Sequence, residues 1–130
     1  LTLLDTNIVV FYFKGMPSVV ARILAMEGPE LAIPSVVAYE LEYGTLKATG
    51  PRRKEILTRL LKDSVQVPFD REAAHEAARI RIELEKHGSV IGPMDLLIAG
   101  TALSRGAVLV TNNTKEFSRV KGLRLADWTS

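Results

Sequence analysis

Of the 15 acidic residues in this 130-residue chain, three stand among apolar neighbours where a solvated charge is not expected, and a fourth lies in the loop after an apolar run. Asp5 ends the apolar run Leu1-Thr-Leu-Leu, which reads as a buried strand. In open parallel sheets ligands bind beyond the carboxyl ends of the strands, although Asp in such a place also serves as an Asx-turn or helix cap. Glu40 falls inside the stripe Val37, Leu41, Gly44, Ala48, whereas Glu42 lies about 200° around the helix and points away. A lone carboxylate in a buried stripe is costly unless it is paired, metal-bound or protonated. Asp95 opens an apolar helix and shares a face with Ile98, Ala99 and Ala102; an acid there also complements the helix dipole. Glu116 follows Asn113 by three residues in a polar loop after the apolar run Ala107–Thr111, a spacing that fits a capping box as well as a ligand pair.

If these groups meet, electrostatics limits what their pocket can do. Two carboxylates about 5 Å apart repel by roughly 3 kcal/mol at an effective dielectric near 20, and three or four together raise one another's pKa unless a cation compensates. With no Cys and only His75 and His87, which lack a ligand-pair spacing, the expected ion is hard and oxygen-seeking, Mg²⁺ or Mn²⁺. Such a cluster suits phosphodiester hydrolysis, in which one metal generates hydroxide and a second stabilises the departing oxygen. Basic residues should then rim the pocket. Arg52, Arg53, Lys54, Arg59 and Lys62 supply one basic stretch, and Lys115, Arg119, Lys121 and Arg124 another; either is also compatible with a solvated helix face.

The elements that must position these groups follow from pattern and punctuation. A strand ending at Asp5, a turn over Asp5–Asn7 and a short helix to Phe13 come first. A helical stretch runs from Pro17 toward Glu27 and is closed by Gly28-Pro29; a strand over Leu31–Ile33 follows, then a helix from Ser35 to about Lys47. After the break at Gly50-Pro51 come a basic helix Arg52–Lys62 and a strand Val65–Pro68. Asp70 caps the longest helix, whose buried stripe is Ala73, Ala77, Ile80 and Leu84 and which ends at Gly88. The apolar helix Met94–Arg105, a strand Ala107–Thr111, a short helix near Thr114–Arg119 and an edge strand Leu123–Leu125 complete the chain. Apolar strands separated by helices imply an α/β domain with a short, mostly parallel central sheet flanked by helices on both faces.

Composition removes several alternatives. At 47% hydrophobic and 25% charged residues the chain is globular rather than disordered or fibrous. The lack of Cys excludes a disulfide scaffold, Cys-ligated zinc or iron–sulfur sites and thiol nucleophiles. No apolar run is long enough to span a bilayer, and Leu1–Asp5 does not read as a signal peptide, so a cytoplasmic protein with no membrane partner is expected. A net charge of +2 permits an acidic partner such as nucleic acid.

The motifs Leu3-Leu-Asp5-Thr-Asn7, Ala38-Tyr-Glu40-Leu-Glu-Tyr-Gly44, Ile91-Gly-Pro-Met-Asp95-Leu-Leu-Ile-Ala99 and Val110-Thr-Asn-Asn-Thr-Lys-Glu-Phe117 occur in one order across almost the whole chain. In this the chain resembles PIN-domain ribonucleases, specifically the VapC-type toxins of bacterial and archaeal toxin–antitoxin pairs. The resemblance implies a single PIN domain over residues 1–130 and Mg²⁺-dependent endoribonuclease activity, with Mn²⁺ expected to substitute. It aligns Asp5, Glu40 and Asp95 with the family's metal-holding acids. Many PIN domains carry Asp where Asn113 stands, while close VapC relatives read Asn there with an acid at the Glu116 position. Either Glu116 replaces the missing carboxylate or Asn113 contributes through its amide oxygen or a water, and one or two metals remain compatible with the set. The resemblance further implies an RNA substrate, often tRNA, a homodimer and a VapB-like antitoxin. Competing expectations are a housekeeping RNA-processing nuclease of the same fold, a Mg²⁺-binding phosphoacceptor signalling domain, and a non-catalytic α/β module whose acids are only caps.

Overall fold

The computed structural model describes residues 1–26 and 28–130. Five strands, β1 (Thr2–Leu4), β2 (Leu31–Pro34), β3 (Val65–Val67), β4 (Val108–Val110) and β5 (Arg124–Ala126), form one sheet in the order β3-β2-β1-β4-β5. All four pairings are parallel, so the expected mostly parallel sheet is wholly so. Seven helices among the described residues flank it: α1 (Thr6–Phe13), α2 (Pro17–Ala25), α3 (Ser35–Lys47), α4 (Arg52–Asp63), α5 (Arg71–Lys86), α6 (Pro93–Ser104) and α7 (Thr114–Phe117).

Central strands of a parallel sheet are covered on both faces and therefore read as unbroken apolar runs. That is the case here: Leu3, Leu4, Ala32, Ile33, Leu109 and Val110 are all fully buried. The edge strand β3 exposes two of its three residues. The core continues outward through Ile8, Val9, Val37, Leu41, Ile98, Ala99 and Phe117, at about 1.5–3 kcal/mol for each large aliphatic side chain withdrawn from water.

Most expected elements are present within a few residues of their anticipated ends. The clearest correction is at the start, where no turn separates β1 from the first helix. Asp5 is itself the N-cap, its Oδ1 accepting from the Thr6 amide at 2.9 Å, so α1 begins at Thr6 and Asn7 is already helical. The second helix ends at Ala25, and its anticipated end at Glu27 lies outside the described residues; Gly28 and Pro29 belong to a 3-10 turn leading into β2. All four expected stripe residues of α5 are buried. No single helix among the described residues is long and apolar enough to cross a membrane.

Two close approaches fix the helices that carry the acids. Gly100 of α6 lies so near α5 that a Cβ there would stand 2.7 Å from the Ala73 carbonyl oxygen and 2.7 Å from Ala77 Cβ. Glycine is thus required for the α5–α6 packing that holds the start of α6 in place. On α3, a Cβ at Gly44 would meet Arg53 Nη2 of α4 at 3.0 Å, the close approach that the glycine in that stripe suggests.

Candidate active site

The strand order changes direction at β1. Successive strands go to one side of it (β2, β3) and then to the other (β4, β5), and the crevice beyond the carboxyl ends at such a switch point is where open α/β sheets bind ligands. Leu4 pairs with Val110 as the last residues in register. The next residue on each strand, Asp5 and Thr111, therefore flanks the crevice. Thr111 Oγ1 donates to Asp5 Oδ2 at 2.7 Å and accepts from the Asn113 amide at 2.9 Å. Both Asp5 and Thr111 are buried, at 5% and 0% exposure.

The remaining acids converge from three helices. Glu40, partly buried on the inward side of α3, accepts a hydrogen bond at Oε1 from Thr6 Oγ1 at 2.8 Å, which ties it to the residue after Asp5. Glu42 is exposed, as its position outside the stripe requires. Asp95 occupies the first turn of α6, behind the Gly92 cap and Pro93. Glu116 of α7 accepts from Asn113 Nδ2 at 2.7 Å. Asn113 precedes α7 but makes no side-chain cap to its backbone, so Asn113 and Glu116 form a side-chain pair and not a capping box.

Asp95 feels the charges of Asp5, Glu116 and Glu40, and Asp5 that of Glu40. Burial is the main force raising the Asp5 pKa; it outweighs the Thr111 hydroxyl and Thr6 amide, which favour the carboxylate, and Glu40 adds to the rise. Asp95 is raised from 3.8 to about 7. Desolvation contributes most, followed by the charge on Asp5, a hydrogen bond shared with Glu116, the charge on Glu116 and the charge on Glu40. A proton held by carboxylates at neutral pH marks a place short of positive charge. By contrast, a groove of about 550 Å³ lined by Tyr12, Ile23, Leu24, Ile56 and Leu60 contains none of these acids; charge, not volume, distinguishes the site.

The donor set has the chemistry of a hard divalent cation: oxygens only, negatively charged and partly desolvated. Among the described residues no group of three or more acid or imidazole side chains is placed to hold a metal ion. His75 and His87 are exposed and distant in role, His87 Nδ1 contacting the Glu83 carbonyl oxygen at 2.9 Å.

Sequence reasoning missed two contributors. Thr6 and Thr111 brace the carboxylates, and their signal was a hydroxyl residue beside each apolar strand end. Arg53, one of the basic residues expected to rim the pocket, is half-buried and stacks on Phe13 with its guanidinium carbon 4.9 Å from the ring centre. Periodicity within α4 does not reveal that contact.

Comparison with known proteins places this arrangement. The sequence matches the PIN domain over residues 2–123. It is 41% identical over 128 residues to the tRNA(fMet)-specific endonuclease VapC of Shigella flexneri, covering 98% of this chain and 97% of that protein. Ribonuclease VapC2 of Haemophilus influenzae (strain ATCC 51907 / DSM 11121 / KW20 / Rd) is 36% identical over 127 residues, with 97% and 96% covered. The crystal structure of DNA-bound VapBC from Salmonella typhimurium contains a chain that superposes with a TM-score of 0.90 at 36% identity, covering 98% of this chain and 97% of that one. PIN nucleases as a family use a divalent metal, and this chain belongs to the PIN-domain family, in its VapC ribonuclease branch.

Proposed function

We propose that this chain is a single PIN domain that hydrolyses RNA phosphodiester bonds internally with Mg²⁺, as the toxin of a VapBC-type toxin–antitoxin pair. The observation that supports the reading is the position of Asp5 at the switch point, braced by Thr111 and joined through Thr6 to Glu40, with Asp95 and Glu116 near enough for their charges to be felt. Relatives at 41% and 37% identity are tRNA(fMet)-specific endonucleases, which supports tRNA as the substrate class and the cytoplasm as the place of action. VapBC structures similar to this chain support a VapB-like antitoxin as partner, and a homodimer is the assembly we assign.

In this reading Asp5 and Asp95 would hold the Mg²⁺, with Glu40 and Glu116 beside it and Mn²⁺ able to substitute. The cation would supply charge neutralisation for the phosphodiester oxygens. The protein's own part is positional. Thr111 and the Thr6 amide aim the two oxygens of Asp5. Thr6 Oγ1 directs Glu40, whose other oxygen is left to orient the attacking water and take its proton. Asn113 acts through its amide on Glu116, so Glu116 rather than Asn113 supplies the fourth carboxylate. Leaving-group protonation falls to solvent.

The test is a digest of total RNA by the purified chain, free of antitoxin, with Mg²⁺ and with EDTA, mapped for cut sites. Discrete cuts in tRNA that vanish in EDTA are expected. Equal cleavage in EDTA, or none in either, would overturn the proposal.

A further inference from the structure

Arg53 is built into the fold in a way that the other basic residues of α4 are not. Arg52, Lys54, Arg59 and Lys62 are exposed, while Arg53 is half-buried. Its guanidinium is held between the Phe13 ring, 4.9 Å from its central carbon, and the bare backbone of α3 at Gly44, where Nη2 would lie 3.0 Å from any Cβ. A glycine inside a helix is destabilising relative to alanine, yet here it leaves the space that the guanidinium fills.

Among the described residues that side chain has no anionic partner. Its Nε is buried without a hydrogen-bond partner, and none of the four ion pairs among the described residues includes it. The buried Nε is closed to solvent, whereas the two Nη atoms are neither buried without a partner nor hydrogen-bonded within the described residues, and a planar guanidinium stacked on an aromatic ring is suited to capture of a phosphate through them. The slot also has a defined relation to the acids. Gly44 follows Glu40 by four residues on one face of α3, about 6 Å along the axis, and Phe13 closes the same helix α1 that Thr6 opens. The slot and Glu40 thus lie one helical turn apart on the same face of α3.

From this we infer that Arg53 is a substrate-binding residue that takes an RNA backbone phosphate adjacent to the scissile one, with Phe13 and Gly44 forming the slot that orients it. It is a binding group, not a reacting one. The inference rests on the ribonuclease reading for its ligand, so binding and cleavage are measured separately.

The experiment is filter binding of unfractionated tRNA in EDTA, where turnover is absent, at KCl from about 50 to about 200 mM. Proteins are the wild type, Arg53→Gln, Arg53→Lys, Gly44→Ala, and Arg81→Gln as a charge-matched control on α5. Arg53→Gln is expected to weaken binding about tenfold and to reduce the slope of log K against log salt by about 0.7, the value for one single-strand phosphate contact. Arg53→Lys should keep the slope but lose several-fold in affinity, because an ammonium cannot reproduce the planar fork. Gly44→Ala, a helix-favouring change, should weaken binding several-fold by crowding the guanidinium tip, and so keeps the test decisive if Arg53→Gln folds poorly. Arg81→Gln should leave the slope as it is. Unchanged affinity and slope in Arg53→Gln, or a loss matched by Arg81→Gln, would overturn the inference and leave the guanidinium to a carboxylate of a protein partner. Wild-type binding without cleavage in Mg²⁺ would instead overturn the ribonuclease reading and leave Arg53 standing.

Discussion

Replacing Asp95 with Asn converts the proton stored in the acidic pocket into a measurable stability. The Asp95 carboxyl is raised from 3.8 to about 7 in the folded chain, so between these values the fold binds a proton that the unfolded chain has released. Stability from this group is therefore fully present below about pH 4 and is lost as pH rises through 7. At about 1.36 kcal/mol per pH unit the full interval corresponds to at most about 4 kcal/mol. Solvent reaches part of the side chain, and screening reduces this to about 2 kcal/mol. Asn keeps the size but cannot ionise. In EDTA, thermal unfolding of Asp95→Asn and wild type across pH 4–8 should show the variant gaining about 2 kcal/mol relative to wild type toward pH 8. For a domain of this size that is roughly 6–10 °C in Tm. Saturating Mg²⁺ at pH 8 should reverse the order, since a cation at 100 times its Kd adds about 2.7 kcal/mol to the protein that binds it. A variant curve parallel to wild type in EDTA at every pH would refute the idea that crowded carboxylates drive the shift.

Three further substitutions probe the parts that hold the pocket. Thr111→Val leaves Asp5 Oδ2 and the Asn113 amide without their partner and should cost about 1–3 kcal/mol in urea unfolding, with RNA cleavage falling in step; unchanged cleavage would show that the brace is dispensable. Thr6→Val removes the donor to Glu40 and should lower kcat about tenfold, for about 1.4 kcal/mol of lost orientation, while stability falls by only about 1 kcal/mol; a change confined to KM would argue against this role. Gly100→Ala drives a methyl into the Ala73 carbonyl and Ala77 and should cost about 1–3 kcal/mol through overpacking, despite the better helix propensity of alanine; a stabilised variant in urea would contradict the close packing.

The residues of the pocket were more legible in the sequence than their meeting. A strand such as Thr2–Leu4 with no polar side facing water can only be internal, and the acid that ends it is conspicuous for that reason. The same holds for Glu40, set in an apolar stripe on α3, and for Asp95 on the nearly all-apolar α6. Periodicity reports which face of an element is buried, but it does not report which element covers it. The order β3-β2-β1-β4-β5 arises from pairing between segments up to about a hundred residues apart, and only that order makes Asp5 and Thr111 neighbours. Local rules misled at Asp5, where a turn was expected and a cap begins the helix directly, because one Asp side chain serves both as cap and as pocket acid. At Arg53 they named a cation on a basic stretch without showing the Gly44 gap and the Phe13 ring that hold it.

Single-turnover cleavage of tRNA by wild type, Asp5→Asn and Asp95→Asn, each titrated with Mg²⁺ after removal of antitoxin, tests directly whether these carboxylates carry metal-dependent hydrolysis. Replacing either acid removes a charged ligand to the ion, and a loss of at least about a hundredfold in rate, near 2.7 kcal/mol of transition-state stabilisation, is expected for both. Undiminished Mg²⁺-dependent cleavage by both variants would contradict the assignment of the switch-point pocket as the active site.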